Sequence, residues 1–289
     1  MRRKAMKRNI LTDVLRRMPH DTLYHYTMQD GLLGIINDKE IWATHTQYLN
    51  DQMEYLHALE ILHEEIDAVM HLTKNSQHKL LLRDMDEDSY GLENMNICVC
   101  SFSEDGDSLP QWRAYADASS GYSIGFSGEF LAKIAEKQNF YLVKCIYDPL
   151  EQRALIRALV DEVLEENIKG EPWDEEDHIP VGGNLGAYLH LYAPILKNIS
   201  FKDEREWRLI SRPLSCRGDH FDFRKGNSTL IPYYKLKLSY EDLPFQLKKI
   251  VVGPTPHPKQ AEIAVSSFLV SQGLRRIPVI NSIVPYRNW

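Results

Sequence analysis

Four stretches of the 289-residue chain carry chemically capable side chains where a hydrophobic core would not require them. In Leu23-Tyr24-His25-Tyr26-Thr27, a histidine and a threonine close a strand-like run. Trp42-Ala43-Thr44-His45 leads into Tyr48-Leu49-Asn50-Asp51. Ser101-Phe102-Ser103 is followed eight residues later by Gln111-Trp112-Arg113-Ala114-Tyr115, and Glu204-Arg205-Glu206-Trp207-Arg208 brings two acids into a strand. Residues i and i+2 of a strand share a face, so Glu204, Glu206 and Arg208 can line one side together. Carboxylates that close raise each other's pKa unless a cation such as Arg208 offsets them. Sites of chemistry are where such costs collect. A surface strand with a Glu–Arg ladder would show the same spacing.

The elements that must position these residues follow from the apolar pattern. Strands are expected over 22–26, 41–46, 96–103, 121–126, 141–147, 206–211, 230–238, 249–252 and 276–280. Helices are expected over 28–37 (opened by Asp30), 109–116, 153–168, 185–199 and 258–272. Another runs through Glu54, Leu56, Leu59 and Leu62, with Asn50 or Asp51 as its cap. Residues 73–94 are polar and read as partly loop, and 169–183 as a loop. Strands and helices mix without βαβ alternation, which points to an α+β fold, a single domain whose largely antiparallel, possibly split sheet is flanked by helices. The division expected is a basic leader helix over 1–20 and one domain over 21–289, with a helical insertion near 150–200.

Composition sets limits on function. A hydrophobic fraction of 43% and a charged fraction of 26% are ordinary for a globular protein. No apolar run approaches the roughly 18 residues of a membrane helix. A net charge of −7, from 34 basic and 41 acidic residues, argues against general nucleic-acid coating. Seven Lys or Arg and one Asp in the first seventeen residues read as a solvated leader, without the apolar core of a signal peptide, so a cytoplasmic protein is expected. Cys98, Cys100, Cys145 and Cys216 lack zinc-knuckle spacing and read as small buried residues; no metal is expected. Dinucleotide-fold, phosphate-loop, HExxH and nucleophile-elbow motifs are absent. Glu54-x-x-His57 and Glu60-x-x-His63 lie on one helix, which fits a solvated face better than a carboxylate-bridged metal site. Trp42, Trp112 and Trp207 read as core anchors.

YHYT, IWATH-x-x-YLND, CSFSE, QWRAY, GYSIGF and E-x-EWRLI, in this order and with VPYR at the end, resemble a bacterial family of unknown function. It is the domain of unknown function numbered twenty-nine seventy-one, and the likeness runs from about Leu23 to Arg287. More distantly, the order and settings of three motifs are similar to those of ADP-ribosyltransferases. In that likeness His25, with Tyr26 and Thr27, is placed like the first-motif histidine that contacts the nicotinamide ribose. Ser101, Phe102 and Ser103, followed by the helix with Trp112, Arg113 and Tyr115, resemble the second motif, whose aromatics stack on nicotinamide. Glu204-x-Glu206 resembles the Glu-x-Glu of the arginine-modifying branch, with Glu206 in the catalytic position and Glu204 orienting the acceptor. A Phe stands where the second motif often has Tyr, and the motifs are widely spaced.

The resemblance implies NAD as substrate, Arg208 beside the acids, and transfer to an unidentified protein or nucleic acid by a toxin or defence effector. Cleavage of the nicotinamide–ribose bond passes through an oxocarbenium-like state, which a carboxylate stabilises. Two other readings are open: a non-catalytic nucleotide- or partner-binding module, and a metal-dependent nuclease using Asp51, Glu54, Glu204 and Glu206. The NAD-cleaving reading requires His25 and Glu206 to meet across a single cleft.

Overall fold

The computed structural model describes residues 10–19, 21–49, 53–88, 96–115, 121–169, 185–226 and 228–285. In chain order these form α1 (residues 10–16), β1 (Thr22–Thr27), α2 (Gln29–Asp38), β2 (Glu40–His45), α3 (Met53–Leu72), α4 (Ser76–Asp88), β3 (Cys98–Ser103) and α5 (Leu109–Tyr115). Then come β4 (Tyr122–Ser127), α6 (Gly128–Lys137), β5 (Phe140–Lys144), α7 (Pro149–Lys169), α8 (Leu185–Tyr192) and β6 (Glu206–Ser211). The chain ends with β7 (Phe221–Lys225), β8 (Leu230–Lys237), β9 (Lys249–Val252), α9 (Pro258–Ser271) and β10 (Val279–Asn281).

The architecture is α+β: the ten strands form one sheet, antiparallel except where β10 runs parallel to β9. Its main path is β10-β9-β4-β1-β3-β2-β8-β7, and β6 joins β3 to β5. Strand β3 is the branch point. One of its edges pairs with β6 from Val99 to Ser103. The other is shared, since Cys98 and Val99 pair with β2 while Ser103 pairs with Tyr24 of β1. The sheet is therefore not in two pieces; it forks.

Each face of the sheet carries its own core. On one side Leu32, Ile35 and Ile36 of α2, Phe130, Leu131 and Ile134 of α6, and Leu269 of α9 pack with Cys98, Cys100, Phe102, Trp207 and Leu209. On the other, α1, α3, α4, α7 and α8 pack with Val99 and Ile210. Alternation along β3 and β6 sends successive side chains to opposite cores. Leu11 and Val14 belong to the second cluster, and the Tyr192 hydroxyl donates to the Leu11 carbonyl at 3.2 Å. The described part of the leader is thus packed, because its apolar residues fall three apart on one helical face.

Several elements depart from the sequence reading. Within 73–94, expected to be partly loop, helix α4 was not foreseen, because Leu82 and Met85 supply an apolar stripe that the surrounding charge conceals. Helix α6 was not foreseen, although Ser127 caps it by accepting from the Phe130 amide at 3.2 Å. Strand β7 was also missed; its alternating charges mark an edge strand with little burial. The helix expected over 185–199 stops at Tyr192, where Pro194 leads into a 3-10 turn. No side-chain cap opens α2; Asp30 lies in its first turn. Asn50 and Asp51, the loop near 170–183 and the last two residues of VPYR lie outside the described residues.

Candidate functional site

A cleft of about 440 Å³ opens over the fork. Its floor is Thr44 of β2, Val99, Ser101 and Ser103 of β3, and Glu206 and Arg208 of β6; its walls include Tyr24, Tyr26, Trp42, Tyr48, Gln111, Tyr115 and Phe201. His25 and Glu206 both line it.

His25 sits inside the fork. Along the shared edge of β3, Val99 pairs with β2 and Ser103 with β1, leaving Ser101 between them. The His25 Nδ1 lies 3.0 Å from the Ser101 carbonyl oxygen. A carbonyl only accepts, so Nδ1 holds the hydrogen and Nε2 carries a lone pair in the neutral ring. Burial lowers the His25 pKa, against the opposing effect of that hydrogen bond. The imidazole stands in for a missing ladder bond, and its burial disfavours the charged form.

At the other end lies a set of four charges, three of them buried and Glu204 partly so. Glu206 and Arg208 point the same way from β6, and every residue of that strand is buried. This excludes the surface Glu–Arg ladder, because β6 is covered on both edges by β3 and β5. Arg208 Nε donates to Glu206 Oε1 at 2.8 Å, and its Nη2 donates to Oε2 at 3.0 Å, while Nη1 takes the Pro194 carbonyl at 2.6 Å. Lys197 Nζ donates to Glu206 Oε2 at 2.5 Å and also to Glu204. Glu206, Arg208 and Lys197 are each about 5% exposed or less. Burial pushes the Glu206 carboxyl up, but Arg208 and then Lys197 outweigh it and bring the pKa down to about 2. Glu204 moves the other way: burial raises its pKa despite Lys197. The environment thus separates the two acids, one firmly ionised and one more readily protonated.

A carboxylate has about four acceptor positions. Three on Glu206 are taken: two on Oε2, by Lys197 and Arg208, and one on Oε1, by Arg208. The fourth position, on Oε1, takes no hydrogen bond from the described residues. The backbone here is fixed by Ser103, whose hydroxyl donates to the Glu204 carbonyl at 2.7 Å, and by Tyr147, whose hydroxyl accepts from the Glu206 amide at 2.9 Å.

The sequence-derived residues divide. His25, Ser101, Ser103, Tyr115, Glu204, Glu206 and Arg208 come together in the cleft. Tyr115 is 37% exposed, and burial followed by Glu206 and Glu204 raises its pKa. Tyr26 reaches the wall, but its hydroxyl is committed, donating to the Asp105 carbonyl at 2.8 Å and accepting from the Ser108 amide at 2.9 Å. Phe102 borders the cleft, yet its ring is 2% exposed and packs beside His25 and Phe126. Trp112 does not line the cleft: it is fully buried against Tyr26, with Nε1 donating to Asp107 at 2.8 Å. Arg113 is exposed and lies outside the lining. Thr27 is outside it too, packed against the first turn of α2 at Gly31.

Trp42 reverses its expected role. Rather than anchoring a core, it is 49% exposed at the cleft, 4.4 Å from the Tyr233 ring. Trp112 and Trp207 are buried, as core anchors should be. Lys197 was missed altogether; its signal is a lone cation in the apolar run Leu189-His190-Leu191-Tyr192-Ala193-Pro194-Ile195-Leu196. Arg224 was missed as well. Cys98, Cys100 and Cys145 are buried, whereas Cys216 is exposed. Among the described residues, no three His, Cys, Asp or Glu gather to hold a metal ion, and no helix is long and apolar enough to cross a membrane.

Residues 111–209 match the model of a family described as a protein of unknown function (DUF2971). The matched stretch carries Tyr115, Lys197 and the Glu204–Arg208 strand entry, while His25, Trp42 and Arg224 lie outside it. No curated protein and no solved structure matches the chain.

Proposed function

We propose that the cleft binds NAD and that the protein cleaves its nicotinamide–ribose bond, passing ADP-ribose to a macromolecular acceptor or to water. The observation that carries this reading is Glu206: a buried carboxylate held ionised, with one acceptor position on Oε1 left over, in the same cleft as a neutral histidine. As the C1′–N bond breaks, nicotinamide leaves with the bonding pair and positive charge develops on the ribose. Glu206 opposes that charge and accepts from a ribose hydroxyl. Attack on C1′ by an acceptor oxygen or nitrogen, with loss of its proton, completes the exchange. Glu204, whose raised pKa suits proton traffic, orients the acceptor. The Tyr115 ring walls the nicotinamide site in place of Trp112, and His25 Nε2 is an acceptor for ribose.

The test is nicotinamide release from NAD in the presence of a cell lysate, with thermal melts run alongside. Folded Glu206→Gln should lose about 100-fold or more of the wild-type rate, the usual effect of removing one transition-state contact. Wild-type turnover by that variant would overturn the assignment. A second reading has its own support: three of four Glu206 acceptor positions serve the protein's own cations, as in a purely structural charge set. A binding module of that kind would take up NAD and release no nicotinamide.

A further inference from the structure

The end of the cleft away from Glu206 has its own chemistry. Arg224 of β7 lines it, with Nη2 donating to the Thr44 hydroxyl at 3.4 Å and its Nε buried without a partner among the described residues. No described carboxylate forms an ion pair with it. Asp222, on the same face of β7 two residues away, is taken by Lys235 at 2.5 Å. Arg224 is thus a fork of donors facing a cavity with its charge uncompensated, which suits a phosphate.

Thr44, which Arg224 contacts, shares a face of β2 with Trp42, which is half exposed in the same cleft and backed by Tyr233 at 4.4 Å with the rings tilted by 33°. An indole supported on one face and open on the other is a stacking platform for a planar ring. Separation comes from the register. Glu206 pairs with Ser103 and Thr44 with Val99, four residues further along β3 and on its other edge. Strand geometry makes that roughly 13 Å along the strands and 10 Å across them, about 16 Å in all. That is long enough to keep the two ends of a dinucleotide apart.

We infer that the Arg224–Trp42 end of the cleft is a nucleotide 5′-phosphate subsite, in which Arg224 and Thr44 take the phosphate and Trp42 stacks on the base. The inference rests on the cleft being a nucleotide site, as the NAD reading has it, but not on turnover.

Calorimetric titration of the full chain with adenosine 5′-monophosphate, adenosine and inorganic phosphate tests it. The monophosphate should bind roughly tenfold or more tighter than adenosine, the scale of a charge-assisted contact. Arg224→Gln should abolish that preference, whereas Trp42→Ala should weaken both ligands and keep it. Equal binding of adenosine and its monophosphate, no binding of either, or an unchanged preference in Arg224→Gln overturns the subsite. Phosphate alone binding as tightly as the monophosphate overturns the stacking role. Nicotinamide release in the face of any of these results would leave the NAD reading standing, and a confirmed subsite without release would sink only the chemistry.

Discussion

The imidazole of His25 lies 3.0 Å from the carbonyl oxygen of Ser101, at the one place on the inner edge of β3 where neither β1 nor β2 supplies a partner. Without the ring, a partly buried carbonyl would face the gap between two diverging strands. The side chain that the resemblance assigns to ligand binding therefore also completes the scaffold.

His25 makes stability depend on pH. Its pKa is lowered from 6.5 by burial, so below 6.5 the unfolded chain binds a proton that the folded chain resists. Stability from this group is present above 6.5 and falls as pH drops toward the folded value, by at most about 1.4 kcal/mol per pH unit. His45, shifted the same way by burial, adds in the same sense. His25→Gln, which can still offer an N–H to Ser101, should show a shallower decline between pH 7 and 5.5 in denaturant melts. His25→Ala should lose about 1–3 kcal/mol across the range by stranding the carbonyl. An unaltered pH slope in His25→Gln would refute the titration.

The buried charges act at more acid pH. Glu206 drops from 4.5 to about 2, so its contribution is complete above 4.5 and disappears as pH falls toward 2. Glu206→Gln should flatten that limb. It should also cost about 3–5 kcal/mol at neutral pH, because Lys197 and Arg208 then lack their shared acid. Lys197→Met should cost a similar amount, and the double variant clearly less than the sum. Additive losses in the double-mutant cycle would show that Glu206 and Lys197 do not act together.

Two glycines of α2 should respond in opposite ways to alanine. A Cβ at Gly31 would lie 1.9 Å from Thr27 Oγ1, whereas one at Gly34 meets nothing within 4 Å. Gly34→Ala should therefore gain up to about 1 kcal/mol from helix propensity. Gly31→Ala should lose about 1–3 kcal/mol through the clash. Thr27→Ala should recover most of that loss in the double variant. Equal melting shifts for the two single variants would mean that Thr27 is not packed on the helix.

The chain's periodicity revealed much of this arrangement. The bounds of β6 and β9 agree with the apolar pattern, and two-residue spacing put Glu206 and Arg208 on one face. What periodicity does not encode is which edge meets which. Strand β3 serves three partners, and no local pattern tells that Ser103 goes to β1 while Val99 goes to β2. Aromatic roles failed for a related reason. Trp42 and Trp112 have the same chemistry, and only the packing around each decides that one is half exposed and the other sealed. Lys197 escaped notice because its partners lie beyond a Pro-broken helix end, although an isolated cation among Leu, Ile and Tyr already required an acid nearby.

The fork has a corollary for substitution. The recess it creates is an interruption in strand pairing, and the two large hydrophobic clusters stay filled behind it. Trp42, Tyr48, Tyr115 and Phe201, all on its rim and all substantially exposed, belong to neither cluster. Substitution there reshapes what the recess admits without hollowing the interior. The side chains that shape the recess are thus distinct from those that fill the two large clusters.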